Sequence, residues 1–305
     1  MWKNLKNYFN KDKVDNRELI DTIDDNDTSF DNIEVVAELK QLIETSSDVQ
    51  KVRKAYLILG NIGKNRYIPE LTNYFISKVI NENNPDIKSC IYTAIFWQKK
   101  TAEVNIKPLF DLLKKYTQGK IVDPIIDCLV NSENPDAEDA LIYVLENYKS
   151  DWSKIQANAV LHSVGTRKCI PYLVNQLNEK SKDLSGSAFL ALIRLADNRE
   201  QSLFIDQLLN GKDKHSAMEG IYMHCGSEAI SAVIERIKER TSTKRKIDSN
   251  CYFYPNDNDI TLGLKFIDRY KNENNNIEHF FDFLSSKRLD KLFENEKKVL
   301  EELQK

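Results

Sequence analysis

The stretch Leu59-Gly60-Asn61-Ile62-Gly63-Lys64-Asn65-Arg66-Tyr67-Ile68-Pro69-Glu70-Leu71 has a counterpart in Leu161-His162-Ser163-Val164-Gly165-Thr166-Arg167-Lys168-Cys169-Ile170-Pro171-Tyr172-Leu173, 102 residues further on, or three times 34. Both read as an apolar helical stripe, a glycine at the helix end, a short polar turn and a proline near the start of a second helix, where a missing N–H is tolerated. The unit is a helical hairpin. With the proline as position zero, positions -1, +2, +3 and +6 share one helical face and are expected to be buried.

The same phase recurs with Lys107, Glu138, Ser202 and Ser231 as zero positions. It selects Ile106, Leu109, Phe110 and Leu113, then Ala137, Ala140, Leu141 and Val144. Further on it selects Phe204, Ile205 and Leu208, then Ile230, Val233, Ile234 and Ile237, with Gln201 as the polar exception. The zero positions 69, 107, 138, 171, 202 and 231 lie 38, 31, 33, 31 and 29 residues apart, a period that belongs to stacked helix pairs. First helices are expected over 48–59, 86–98, 122–131, 153–164, 183–195 and 214–223.

On these segments the chain resembles the HEAT-repeat family, including its short bacterial HEAT-like members, over residues 49–240. The LGxxGxxxxIPxL-type segments at Gly63 and Gly165 carry the resemblance together with the repeated phase. The third repeat departs from it by lacking the proline, and Cys225-Gly226 alters the phase of the turn glycine. The resemblance implies an all-α fold, an α-solenoid of about six hairpins with first helices convex and second helices lining a concave groove. Physics points the same way, since a hairpin of about 30 residues cannot cover its own apolar face and must stack on neighbours.

An N-terminal cap helix is expected over 32–43, with Asp31 or Asn32 as its N-cap. Three further helices are expected over 259–270, 277–284 and 289–303, after a loop holding Tyr252, Phe253 and Tyr254. The expected organisation is a flexible acidic lead over 1–31, the repeat array over 32–240, and a loop with a C-terminal helical extension over 241–305. The first 50 residues carry 6 basic and 12 acidic side chains, with the acids densest in DTIDDNDTSFDN at 21–32.

Composition excludes several classes. Nine glycines and seven prolines are about 5% of 305 residues, against a usual ~12%, too little turn chemistry for a sandwich, barrel or glycine-loop nucleotide fold. The net charge of -3 is not that of a polycation built for phosphate backbones. Five widely spaced cysteines without a CxxC pair suggest free thiols in a reducing cytoplasm. No leader-like h-region or apolar run of about 18 residues is visible, so no membrane span is expected. The stripe Trp2, Leu5, Tyr8 and Phe9, among Lys3, Lys6, Lys11 and Lys13, suits docking on the array or a partner better than membrane attachment.

If -1, +2, +3 and +6 face the core, +4 and +5 and their flanks face the groove. The candidate partner-binding residues are then Asn73, Tyr74, Asp111, Tyr143, Glu146, Tyr172, Gln176, Asp206, Gln207 and Glu235. They make an acidic, tyrosine-bearing face. Lysines and arginines, Lys99 and Lys100 among them, gather on first helices and turns and are expected to be solvated outer surface. That distribution opposes phosphate binding along the groove and suits a basic protein partner.

No catalytic chemistry is visible. HExxH, GxSxG, GxxxxGK[ST] and GxGxxG are absent, and the adjacent pair His224-Cys225 projects about 100° apart on a helix. No metal, cofactor or small-molecule substrate is expected. The expected function is a non-enzymatic protein-binding α-solenoid, most concretely an inhibitor of immunity type that neutralises a cationic toxin. Two other readings stay open. One is a general scaffold or adaptor. The other is a HEAT-like DNA binder such as an alkylpurine DNA glycosylase, for which Trp97, Asp111 and Trp152 would be the aromatic and acidic residues. Trp97 also continues the apolar stripe of Ile91, Ala94 and Ile95 and reads as core. Bilin lyases of the HEAT-like class are a further relative, and nothing in the sequence specifies a tetrapyrrole site.

Overall fold

The computed structural model describes residues 32–117, 122–247, 259–273 and 276–305. The acidic lead with its Trp2 stripe and the aromatics Tyr252 to Tyr254 lie outside them. The described chain is all-helical. Its elements are α1 (Val36–Thr45), α2 (Val49–Arg66), α3 (Pro69–Asn81), α4 (Pro85–Trp97), α5 (Lys107–Lys115), α6 (Val122–Asp127), α7 (Asp136–Asn147) and α8 (Asp151–Val164). They continue as α9 (Ile170–Gln176), α10 (Lys182–Leu195), α11 (Gln201–Asn210), α12 (Lys214–His224), α13 (Ile230–Arg240), α14 (Asp259–Asp268), α15 (Asn276–Lys287) and α16 (Glu294–Leu303). Among the described residues the sole extended pairing is an isolated bridge between Lys100 and Ser132.

Helix starts follow local chemistry. Asp48, Asn84, Ser150, Ser181 and Asp213 precede α2, α4, α8, α10 and α12, and each side-chain oxygen accepts from backbone N–H groups of the first turn. Asn32 does the same for the short 3-10 turn Ile33–Val35 that leads into α1. The expected helix at 289–303 is divided into a 3-10 turn, Leu289–Lys291, and α16. Glu296 explains the break, because its buried carboxylate accepts from Phe293 N–H and pairs with Arg245 at 2.8 Å.

Packing divides the chain into two compact units, up to Cys169 and from Ile170 onward. In the first, α2, α4, α6 and α8 pack in sequence, α3, α5 and α7 pack in a second row, and α1 covers α2. In the second, α10, α12, α14 and α16 form one row, and α11 packs on α13. Contacts α3–α4, α5–α6 and α7–α8 tie the rows in the first unit, as α9–α10, α11–α12 and α13–α14 do in the second. No division falls at residue 240, where α14 packs on both α12 and α13.

The apolar phase is observed where it is deepest. Positions +2 and +6 are buried in all six second helices, from Leu71 and Phe75 to Val233 and Ile237. Position +3 is half-buried at Phe110, Val174, Ile205 and Ile234, so it marks the border of the stripe.

The expected helix end at Gly60 and Gly63 is corrected. α2 runs through both glycines to Arg66 and stops only at Tyr67, which adopts φ 54° and ψ 61°. The glycines instead allow a close approach. A Cβ at Gly60 would lie 3.1 Å from Ala94 Cα and 3.1 Å from Trp97 Cε3, and a Cβ at Gly63 would overlap the Gln98 side chain. Gln98 is buried there, and its Nε2 donates to Gly60 O at 2.9 Å and Ala94 O at 2.8 Å.

Gly220 on α12 has a parallel role, since a Cβ there would fall inside the contact distance of the buried Phe204 ring. That ring is held between Phe189 and the stacked imidazole of His224. Gly220→Ala should therefore lower stability by about 1–3 kcal/mol through overpacking, despite a helix-propensity gain of ~1 kcal/mol. Urea unfolding measures this, and a variant more stable than the parent would refute the close-packing account.

Candidate functional site

The first unit carries five of the candidate residues from the sequence. Tyr143 on α7 is half-buried, with its ring edge-on to Phe110 at 5.7 Å and to Tyr148 at 6.5 Å. The Tyr148 hydroxyl lies 2.8 Å from both Leu113 O and Tyr116 O, the end of α5, so this aromatic group is anchored. Glu146 is exposed one turn from Tyr143. Asp139, one turn earlier, pairs with Lys168.

Two other positions are differently employed. The Asn73 side chain accepts from Asn105 N–H at 2.9 Å and so fixes the approach to α5. Tyr74 is flanked by Lys40 and Lys78, 4.7 and 5.3 Å from its ring centroid, and its hydroxyl donates to Glu44 at 3.4 Å. Asp111 is exposed, but Lys107, Lys114 and Lys115 are exposed at i-4, i+3 and i+4 on the same helical face. The expected acidic face is mixed at α5, because zero and +7 positions share that flank with +4.

In the second unit, Asp206 and Glu235 are exposed and Tyr172 is half-buried. Gln176 and Gln207 are 5% and 7% exposed, a correction of their placement on the open face. Gln176 Nε2 donates to Tyr172 O at 3.2 Å, and Gln207 lies under the α11 C-terminus against Gly211. Position +5 is therefore buried in α9 and α11 but only half-buried at Tyr143 in α7.

The structure also assembles a cleft that sequence reading did not find. It measures about 640 Å³ and lies in the first unit at the C-terminal ends of α2, α4 and α8 and the turn after α6. Lys64, Tyr67, Trp97 and Lys99 supply its cationic and aromatic lining. Asn65, Asn131, Ser132 and Ser163 supply amides and hydroxyls. Glu133 pairs with Lys99 at 2.7 Å. Tyr67 and Asn131, with φ of 54° and 58°, are the two non-glycine residues of positive φ among the described residues, and both line this cleft. Such conformations cost about 1–3 kcal/mol and gather at functional sites. Of the three residues considered for DNA repair, Trp97 lines the cleft, whereas Asp111 and the exposed Trp152 do not.

Beneath this cleft sits Lys100, which corrects its placement on the solvated surface: the residue is 0% exposed. Its ammonium donates to Gln98 O and Val130 O at 2.7 Å and to Phe96 O at 3.4 Å. The carbonyls left over at a helix C-terminus are thereby satisfied, with the charge placed favourably for the helix dipole. Burial pulls the Lys100 pKa down to about 8. Backbone bonds Lys100 N–H to Asn131 O and Glu133 N–H to Lys100 O, at 3.2 and 2.7 Å, complete the link between α4 and the turn after α6.

The remaining candidate chemistry is structural. His224 Nε2 lies 2.7 Å from Ile193 O and its ring stacks on Phe204. Burial pushes the Cys128, Cys169 and Cys225 thiols up to about 12. Among the described residues no group of three or more His, Cys, Asp or Glu is arranged to hold a metal ion, and no helix is long and apolar enough to cross a membrane. Compared with models of protein families and with curated proteins, the chain has no match.

Lys100→Met keeps the length of the side chain but leaves its buried carbonyl partners unpaired. It should destabilise the protein by about 1–3 kcal/mol, read from urea unfolding, and an unchanged midpoint would show that these bonds contribute nothing.

The second unit contains a charged junction of α12, α13 and α14. Asp259, 7% exposed, accepts from Arg236 Nη2 at 2.5 Å, with His215 at 3.8 Å and Arg240 at 3.7 Å. Burial pushes its carboxyl up, but His215, Arg236 and Arg240 outweigh it and hold the pKa far below the ordinary 3.8. The carboxylate raises His215 above the ordinary 6.5. The Asp259 contribution is present above pH 3.8 and is lost as pH falls toward its depressed value. That of His215 is complete below pH 6.5 and is lost as pH rises through its elevated value. Stability should therefore decline on both sides of about pH 4 to 6.5, and Asp259→Asn should flatten both limbs. Urea midpoints across pH test this, and equal slopes in the two proteins would refute it.

Proposed function

We propose that the chain is an α-solenoid of HEAT-like hairpins, with no enzymatic activity, that binds a basic protein through the open flank of its second helices. Two rows of helices, each packed on its second neighbour in sequence, support the architecture, because hairpin stacking produces that contact pattern. One observation carries the choice of ligand: the anchored Tyr143 ring beside the exposed Glu146 on α7. A rigid tyrosine offers wide contact area at little entropic cost, and nearby carboxylates steer a cationic surface toward it. Asp206 and Glu235 give the second unit further exposed acids.

An inhibitor of immunity type acting on a cationic toxin is the most specific form of this reading. A general adaptor is the second reading, and the three lysines around Asp111 favour it, since a mixed face serves partners of mixed charge. The buried thiols of Cys90, Cys128, Cys169 and Cys225 support a reducing cytoplasm as the compartment.

The test mixes the protein with a basic protein encoded by a neighbouring gene and measures affinity by calorimetry at low and high salt. Affinity should fall with salt and weaken at least tenfold in Tyr143→Ala/Glu146→Lys, while Lys114→Glu should preserve or raise it. Binding indifferent to salt and to both variants would overturn the reading, as would a duplex DNA shift at moderate salt with no protein complex.

A further inference from the structure

We infer that the cleft at the C-terminal ends of α2, α4 and α8 binds a small ligand with a planar ring and an anionic group, of the nucleoside monophosphate class. Its volume of about 640 Å³ falls within the ~300–1,000 Å³ range of small-molecule sites. Three features select the ligand.

The first is a fixed aromatic wall. Trp97 is half-buried, and its ring is backed by α2 at the position where Gly60 has no side chain. Opposite conditions hold for Tyr67, which is 69% exposed and carries a left-handed backbone. A tyrosine that buries so little does not offset that backbone through core packing. The left-handed turn caps α2, with Tyr67 N–H donating to Gly63 O, and it leaves the ring exposed at the cleft, open to a ligand that enters. Flat bases stack on such rings regardless of their identity.

The second feature is positive charge aimed at the opening. Lys64 has no partner among the described residues, and Lys99 is matched by Glu133 alone. Helix C-termini would ordinarily repel an anion. Here the buried Lys100 ammonium occupies the carbonyls of Phe96, Gln98 and Val130, so the end of α4 and the turn after α6 are already neutralised, and Lys64 and Arg66 stand in the last turn of α2.

The third is a set of neutral hydrogen-bonding groups on the same walls: the exposed Asn131 amide, the Ser163 oxygen, whose hydrogen goes to Val160 O, and the Ser132 hydroxyl, whose oxygen accepts from Asn134 N–H. Amides and hydroxyls suit the edges of a base or a ribose as well as a phosphate oxygen, and the aromatic wall is what an inorganic anion would leave unused.

Calorimetry of the full chain with AMP, adenosine and inorganic phosphate tests the inference. AMP should bind one to one and more tightly than adenosine or phosphate. Lys64→Glu and Trp97→Leu should each weaken it at least tenfold, with far-UV circular dichroism confirming that each variant is folded. Tyr67→Gly is the decisive variant. It should raise the urea midpoint by relieving the left-handed backbone and still lose at least fivefold in AMP affinity, a combination that a purely structural tyrosine would not give. Absence of AMP binding, binding unaffected by Lys64→Glu and Tyr67→Gly, or phosphate binding as tightly as AMP would overturn it.

Discussion

Packing of one first helix against the next is the contact on which the arrangement depends, and α2 against α4 shows its physical basis. Two glycines inside α2 remove the side chains that would hold the helices apart. Gln98 fills the gap and donates both amide hydrogens, to Gly60 O and Ala94 O. Glycine in a helix interior costs ~1 kcal/mol relative to alanine, and this close approach offsets it. The same contact fixes the Trp97 indole, so the packing that joins two hairpins also builds one wall of the cleft.

Polar groups continue the joining from hairpin to hairpin. Asn73 holds the segment before α5 through Asn105 N–H, and Asn134 Nδ2 donates to Val104 O at 2.8 Å. The buried Glu138 carboxylate accepts from Thr166 N–H at 2.8 Å and from its hydroxyl. Each bond connects residues 28 to 32 apart in the chain, about one hairpin. No single helix pair could satisfy these groups, which ties the polar network as well as the apolar core to the packing of helices distant in the chain.

Surface chemistry follows from the same geometry. Side chains at a helix C-terminus meet carbonyls and favour cations, so lysines gather along the edge where α2 and α4 end. One of them, Lys100, is drawn inward to cap, while Lys64 and Lys99 remain at the opening. The outward flank of the second row has no such field and carries a mixture: lysines on α5, carboxylates on α7. The two surfaces of the first unit therefore present different chemistry.

Much of the helical pattern was legible in the chain. Burial at +2 and +6 is a property of a single helix's periodicity, and an Asp, Asn or Ser before a stripe caps it locally. No partner helix need be known for either. The candidate site was less legible. Gln176 and Gln207 look identical in pattern to Tyr143, yet they are buried, and Asn73 is used by the segment before α5. Gly60 and Gly63 resemble a helix stop and are instead a point of contact. The cleft draws its walls from four segments between residues 64 and 164, so no local signal could announce it. Periodicity determines which face of a helix leaves water; only tertiary packing decides how far the next element reaches across its flanks, because that reach depends on side chains a full hairpin away.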